Sequence, residues 1–265
     1  MPCRQRQSAR HSFAAEGSGL ARTRKVKKRY PRPAPRKRLP PDERERLIAR
    51  EAVRFFAEHG FGGQTRALAR RIGITQPLLY RYFPSKEALI ERVYQEVFVG
   101  HWDPRWEALI EDRKLPLRDR LLRFYGAYAR AILSYEWVRL FTFSGLKGLD
   151  LNARYLKLLH DRVFPRVVAE VRHAYGRPSP KEIPIGEAET EIVWSLHAAI
   201  FYLGVRRWIY DLPIPADLDR AVADKVAAFL DGAPAVMASA HNRDDTVRSQ
   251  PGVAEPAKIN HRARH

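Results

Sequence analysis

Residues 60–91, GFGGQTRALARRIGITQPLLYRYFPSKEALIE, constrain the fold more than any other segment, because they divide into two short helices, a tight turn and the start of a longer helix. Leu68, Ala69 and Ile72 fall on one face of the first short helix, and Gly73 supplies a backbone that tolerates a sharp turn after it. Thr75 is placed to cap the next helix. Gln76 and Pro77 occupy its first turn, where a proline's missing N–H costs nothing. Leu79 and Phe83, four apart, face inward, which leaves Gln76, Tyr80, Arg81 and Tyr82 on the other side. Pro84 stops that helix, and Ser85 can cap a third one that begins at Lys86. Side chains able to bond base edges or phosphates therefore project from the N-terminal part of a helix anchored on its opposite side. That is the arrangement of a helix-turn-helix and its recognition helix.

The run Gln-Thr-Arg-Ala-Leu-Ala, then Gly-Ile, then Gln-Pro-Leu-Leu-Tyr-Arg-Tyr-Phe-Pro-Ser-Lys-Glu-Ala-Leu resembles the DNA-binding domain of the tetracycline-repressor (TetR) family. The resemblance extends over about residues 42–101 and is densest over 79–89. It implies an all-α fold, with an N-terminal three-helix helix-turn-helix domain joined to a helical ligand-binding and dimerisation domain. It also implies a sequence-specific transcriptional regulator: a ligand-responsive repressor acting as a homodimer on a palindromic double-stranded DNA operator. By position in the motif, Thr65, Arg66, Gln76, Pro77, Tyr80, Tyr82 and Lys86 are implied to contact bases or phosphates. One departure stands out. Many family members open the second helix with a Thr or Ser pair, whereas Gly63 and Gln64 precede Thr65 here, which leaves the start of that helix and any hydroxyl contact from it open.

Charge agrees with a polyanionic partner. The 265-residue chain is 45% hydrophobic, enough for a sizeable core, yet its formal net charge is +18. Residues 1–40 hold thirteen Arg and Lys against one Glu, so most of the excess lies there. This Pro-rich segment lacks apolar periodicity and is expected to be a disordered basic arm, either a solubilising tail or an arm that touches nucleic acid. A single cysteine, Cys3, rules out an intramolecular disulfide and points to a reducing compartment. No apolar run is long enough to span a membrane and Glu16 and Gly17 interrupt any leader, so a cytoplasmic protein without a membrane partner is expected.

The helix-turn-helix domain is expected over residues 41–101. Asp42 and Glu45 have capping-box spacing, and Ile48, Ala52, Phe55 and Phe56 follow at helical intervals up to Gly60. A further helix should run over 86–100 with Leu89, Val93 and Val97 inward. The ligand-binding and dimerisation domain is expected over 102–231, as helices at 104–113, 117–134, 137–146, 151–175, 187–210 and 216–230 separated by Pro or Gly. The last two carry apolar stripes, Trp194, His197, Phe201 and Trp208, then Leu218, Val222, Val226 and Phe229. Such stripes either complete the monomer's core or build a four-helix interface; with the resemblance, a homodimer through 187–230 follows. Residues 232–265 are small, polar and Pro-containing and are expected to be disordered.

Aromatic residues crowd the C-terminal half. Trp137, Phe141, Trp194, His197 and Phe201 are the candidates for lining an effector pocket, although aromatics at helical spacing also serve simply as core, and a histidine on an apolar face also serves as a bonded core residue. No catalytic constellation emerges and neither cofactor nor metal is expected. Glu170 and His173 form a lone Glu-x-x-His pair beside Arg166 and Arg172, read as a solvated cationic face, and the glycines at 60–63 lack the Lys-Ser/Thr of a phosphate loop. Two other readings are a helical small-molecule- or metal-binding protein, and a nonspecific nucleic-acid binder acting through the arm.

Overall fold

The computed structural model describes residues 39–248, with side chains to residue 239, so residues 1–38 of the expected arm and the tail beyond 248 lie outside the described residues. Eleven α-helices follow in order: α1 Pro41–His59, α2 Thr65–Ile72, α3 Gln76–Tyr82, α4 Lys86–Tyr94, α5 Arg105–Glu111, α6 Leu117–Ile132, α7 Tyr135–Leu146, α8 Leu151–Arg162, α9 Phe164–Ala174, α10 Glu187–Trp208 and α11 Leu218–Arg248. No strand occurs among the described residues.

Helix α1 is the hub of the N-terminal unit. Its apolar stripe, Ile48, Ala52, Phe55 and Phe56, is buried against α2, α4 and α7. The helix does not start with the capping box that Asp42 and Glu45 suggest. Pro41 is its first residue, Pro40 supplies the first carbonyl to Arg44 at 3.0 Å, and Glu45 instead accepts from Arg92 of α4 at 2.7 Å. Leu89, Val93 and Val97 point inward as expected, yet the final turn of the 86–100 helix is π-helical over Gln95–Val99.

Two boundaries differ from the sequence reading. The single helix expected over 151–175 is two, because Pro165 has no N–H to continue α8; the chain bends at Val163, and the proline falls in the first turn of α9. Conversely, α11 runs past Gly232, with Ala233 and Met237 fully buried, so the part of 232–265 as far as Arg248 is helix. Pro234 lies inside it and cannot bond the carbonyl of Leu230, four residues back. That carbonyl instead accepts the Tyr175 hydroxyl at 3.0 Å, which satisfies the group the proline leaves free.

The C-terminal half is an aromatic core closed by buried ions. Helices α10 and α11 pack on each other, with α6, α7 and α9 beneath. Arg172, read from sequence as part of a solvated face, is instead wholly buried. It reaches Glu189 at 2.8 Å and the carbonyls of Pro178, Ile183 and Pro184, tying the 176–186 loop to the start of α10. Glu170, also buried, accepts from Arg113 and Arg120, so this carboxylate joins the loop after α5 to α6 and α9.

Candidate nucleic-acid interface

The turn between α2 and α3 is built by three local devices. Gly73 adopts φ 74° and ψ 34°, a left-handed conformation that a side chain would strain, and the N–H of Ile74 then closes on Ala69 O at 3.0 Å. Thr75 caps α3 by accepting from the N–H of Leu78 at 3.3 Å, and Pro77 sits in the first turn. Ser85 caps α4 in the same way, from Ala88 N–H at 3.1 Å. Leu79 and Phe83 are buried on the inner side of α3.

On the outer side the expected contact residues divide. Arg66 and Pro77 are exposed, while Gln76, Tyr80, Tyr82 and Lys86 are half-buried, Lys86 at the first position of α4. Thr65 is buried, and its hydroxyl lies 2.9 Å from the Tyr80 hydroxyl and accepts from Gln76 Nε2 at 3.2 Å. Three of the residues implied by the resemblance thus bond one another across α2 and α3. Where the sequence left the start of α2 open, the helix begins at Thr65 after an uncapped Gln64. Gly63 is needed there for space, since a Cβ at that position would lie 2.6 Å from the ring of Phe55.

Cations complete this face. Arg66, Arg70, Arg81 and Lys86 have no carboxylate partner among the described residues. Arg71 differs: it is held by Glu58 and Glu51 of α1 and fastens α2 in place, and this hydrogen bond keeps the Glu58 carboxyl below its ordinary range. Sequence reasoning missed Arg70, although its i+4 spacing from Arg66 puts both on one helix face. It placed Arg81 on the outer face without giving it a contact.

The five candidate effector residues pack into two neighbouring ring clusters, with Trp137 and His197 buried and Phe141, Trp194 and Phe201 half-buried. Trp137 stacks on Phe141 with centroids 4.9 Å apart, and Phe201 meets both rings edge-on. Trp194 and His197 close on Phe164, and His197 Nε2 lies 3.4 Å from the Tyr128 hydroxyl, to which Tyr155 donates at 3.2 Å. Burial lowers the His197 pKa to about 4, so the ring is neutral near pH 7. None of the five lines the neighbouring apolar slot of about 240 Å³, which is walled by Tyr94, Phe98, Trp102, Tyr155 and Leu158 with Arg162 at its edge. The sequence could place these aromatics on inward faces but could not show which neighbours leave a gap.

Residues 48–93 match the profile of the bacterial regulatory proteins of the tetR family, the stretch from the middle of α1 to the end of α4. The helix-turn-helix unit of this chain is thus of the tetR-family type. The tetracycline repressor protein class D of Escherichia coli is 31% identical over 81 residues, which are 28% of this chain and 37% of that repressor. The chain thus matches little more than a third of this relative's length, and the likeness to other TetR proteins elsewhere is one of fold. A TetR-like transcriptional regulator from Rhodococcus sp. RHA1 superposes with a TM-score of 0.54 at 20% identity, covering 75% of this chain and 99% of its own. A tetR-family regulator from Streptomyces coelicolor superposes with a TM-score of 0.51 at 21% identity, covering 80% and 87%. The likeness in fold to these TetR-like structures, a helix-turn-helix unit followed by a helical domain, thus covers three quarters or more of the chain.

Proposed function

We propose that this protein is a transcriptional regulator that binds a palindromic DNA operator as a homodimer and releases it when a small effector binds. The observation that carries the reading is the outer face of α2 and α3. A helix capped at Thr75 and anchored by Leu79 and Phe83 presents Gln76, Pro77, Tyr80 and Tyr82, flanked by Arg66, Arg70, Arg81 and Lys86 without carboxylate partners. Unpaired cations in that position suit phosphates, and Gln76 suits a base edge once Thr65 releases it. The Thr65, Tyr80 and Gln76 cluster supports contact by holding the polar groups in place before DNA arrives.

A palindrome requires two readers about 34 to 36 Å apart. Helices α10 and α11 supply the surface in this reading: Ala198, Ala199 and Tyr202 form an exposed strip of α10, whereas Phe201 and Val222 point into the monomer's own core. Residues 187–230 therefore dimerise through the outward positions. The effector is an apolar or amphipathic small molecule, and the slot between the end of α4, its π-helical extension and α8 suits it better than the ring cluster around Trp137. No described helix is long and apolar enough to cross a membrane, in keeping with action in the cytoplasm. The basic residues of 1–40 would add phosphate contacts without sequence information.

Selection of binding sites from random DNA by the purified full chain tests the proposal. An enriched inverted repeat is expected; recovery of unrelated sequences contradicts it.

A further inference from the structure

The last turn of α1 ends in carbonyls that no helical N–H can reach, and several of them find partners elsewhere. Phe55 O accepts from His59 Nδ1 at 3.0 Å and Phe56 O from the N–H of Gly60 at 2.8 Å. Ala57 O and Glu58 O are taken by Arg139 of α7, through Nε at 2.6 Å and Nη2 at 3.5 Å. The third arm of the same guanidinium, Nη1, donates at 3.3 Å to Trp208 O, the final residue of α10. One cation thus closes the C-terminal ends of two helices that lie far apart in the chain, where the helix dipoles favour positive charge.

The guanidinium is itself held. Tyr135 and Phe143, at i−4 and i+4 on α7, place their rings 5.2 and 5.0 Å from its central carbon. Trp208 is fixed from the other side, its Nε1 donating to Leu133 O at 2.8 Å and its ring meeting Tyr135 edge-on. The planar fork donates to the three carbonyls from three separate nitrogens held in a fixed geometry, whereas an ammonium would have to reach all of them from one nitrogen on a flexible stem.

We propose that Arg139 is a positioning residue that fixes the helix-turn-helix unit relative to the end of α10, and so sets the separation of the two recognition helices in the dimer. The inference rests on the reading that α3 enters DNA and α10 forms the two-fold interface. Given that reading, α1 carries α2 and α3 through the Arg71 pairs and the buried stripe, and Arg139 joins α1 to the helix that meets the partner subunit. Loosening this join widens the range of reader separations, without altering either the reader's surface or the dimer's.

The test uses the full chain with Arg139→Gln, Arg139→Lys and Tyr135→Leu, an operator recovered by selection, and the same operator with one base pair added to or removed from its centre. The wild type should bind the selected spacing most tightly. Arg139→Gln should remain dimeric in sedimentation and bind random DNA as before, yet lose on the order of tenfold in affinity for the selected spacing and less for the altered ones. Arg139→Lys should behave like the glutamine variant instead of rescuing it, and Tyr135→Leu should fall between. A uniform loss on all three spacings, or an unchanged spacing preference in any folded variant of Arg139, overturns the proposal. Should Arg139→Gln not fold, an unchanged preference in Tyr135→Leu does so. A wild-type chain with no spacing preference overturns the functional reading itself, and the proposal with it.

Discussion

The arginines of α2 and α3 and those between α5, α6, α9 and α10 are the same side chain used in two ways. In the first group Arg66, Arg70 and Arg81, unlike Arg71, have no carboxylate partner among the described residues; in the second, Arg113, Arg120, Arg166 and Arg172 each hold a glutamate. A cation already paired, and in Arg120 and Arg172 also buried, has little to gain from a phosphate, while an exposed unpaired one releases counterions when it meets one. The positive charge of the chain is therefore not one property. Near the turn it is available for a partner, and in the helical domain it closes the fold.

The comparison breaks first, and with the largest effect, at Arg172. Replacing it with Met removes the guanidinium from a fully buried carboxylate pair and should cost about 3 to 5 kcal/mol, whereas Arg81→Ala should leave stability within about half a kcal/mol. Urea unfolding of the two variants checks this, and equal losses would erase the distinction. Next comes His197, whose folded pKa of about 4 lies below its ordinary 6.5. Because the unfolded chain takes up the proton first, stability is fully present above pH 6.5 and declines as pH falls toward 4, by up to about 3 kcal/mol. His197→Gln should flatten the melting temperature across that window, and a wild-type curve that is level there would show that burial does not act on this ring. In the reader, Gln76→Ala should relax discrimination at one base position by about 1 to 3 kcal/mol while the overall fold is kept. The smallest effect belongs to Thr75→Ala, where loss of the cap on α3 should cost about 1 kcal/mol in thermal unfolding.

The two regions also differed in how far they could be read from sequence, for a physical reason. Local chemistry builds the reader: the turn at Gly73, the caps at Thr75 and Ser85, and the inward Leu79 and Phe83 all act within a few residues, and the structure has them as expected. The helical domain depends on partners distant in the chain. Arg172 looked exposed because Glu189 and the 178–184 carbonyls lie in other segments, and the helix past Gly232 looked broken because Tyr175, which satisfies Leu230 O, is more than fifty residues earlier. Among the five aromatic and histidine candidates, Trp137 and His197 are buried while Phe141, Trp194 and Phe201 are half-buried, and which neighbours leave a gap depends on packing that composition does not carry. Thr65 is the exception within the reader. Its hydroxyl is taken up by Tyr80 and Gln76, a contact across two helices that no local rule gives.

The most direct test of the account is the salt dependence of operator binding, measured by fluorescence anisotropy for the wild type and for a chain carrying Arg66→Ala, Arg81→Ala and Lys86→Ala together. If these unpaired cations meet phosphates, the slope of log affinity against log salt should fall by roughly 0.9 for each, close to three units for the triple variant, while circular dichroism and melting stay unchanged. A triple variant that keeps the full wild-type slope would contradict the assignment of this face to DNA.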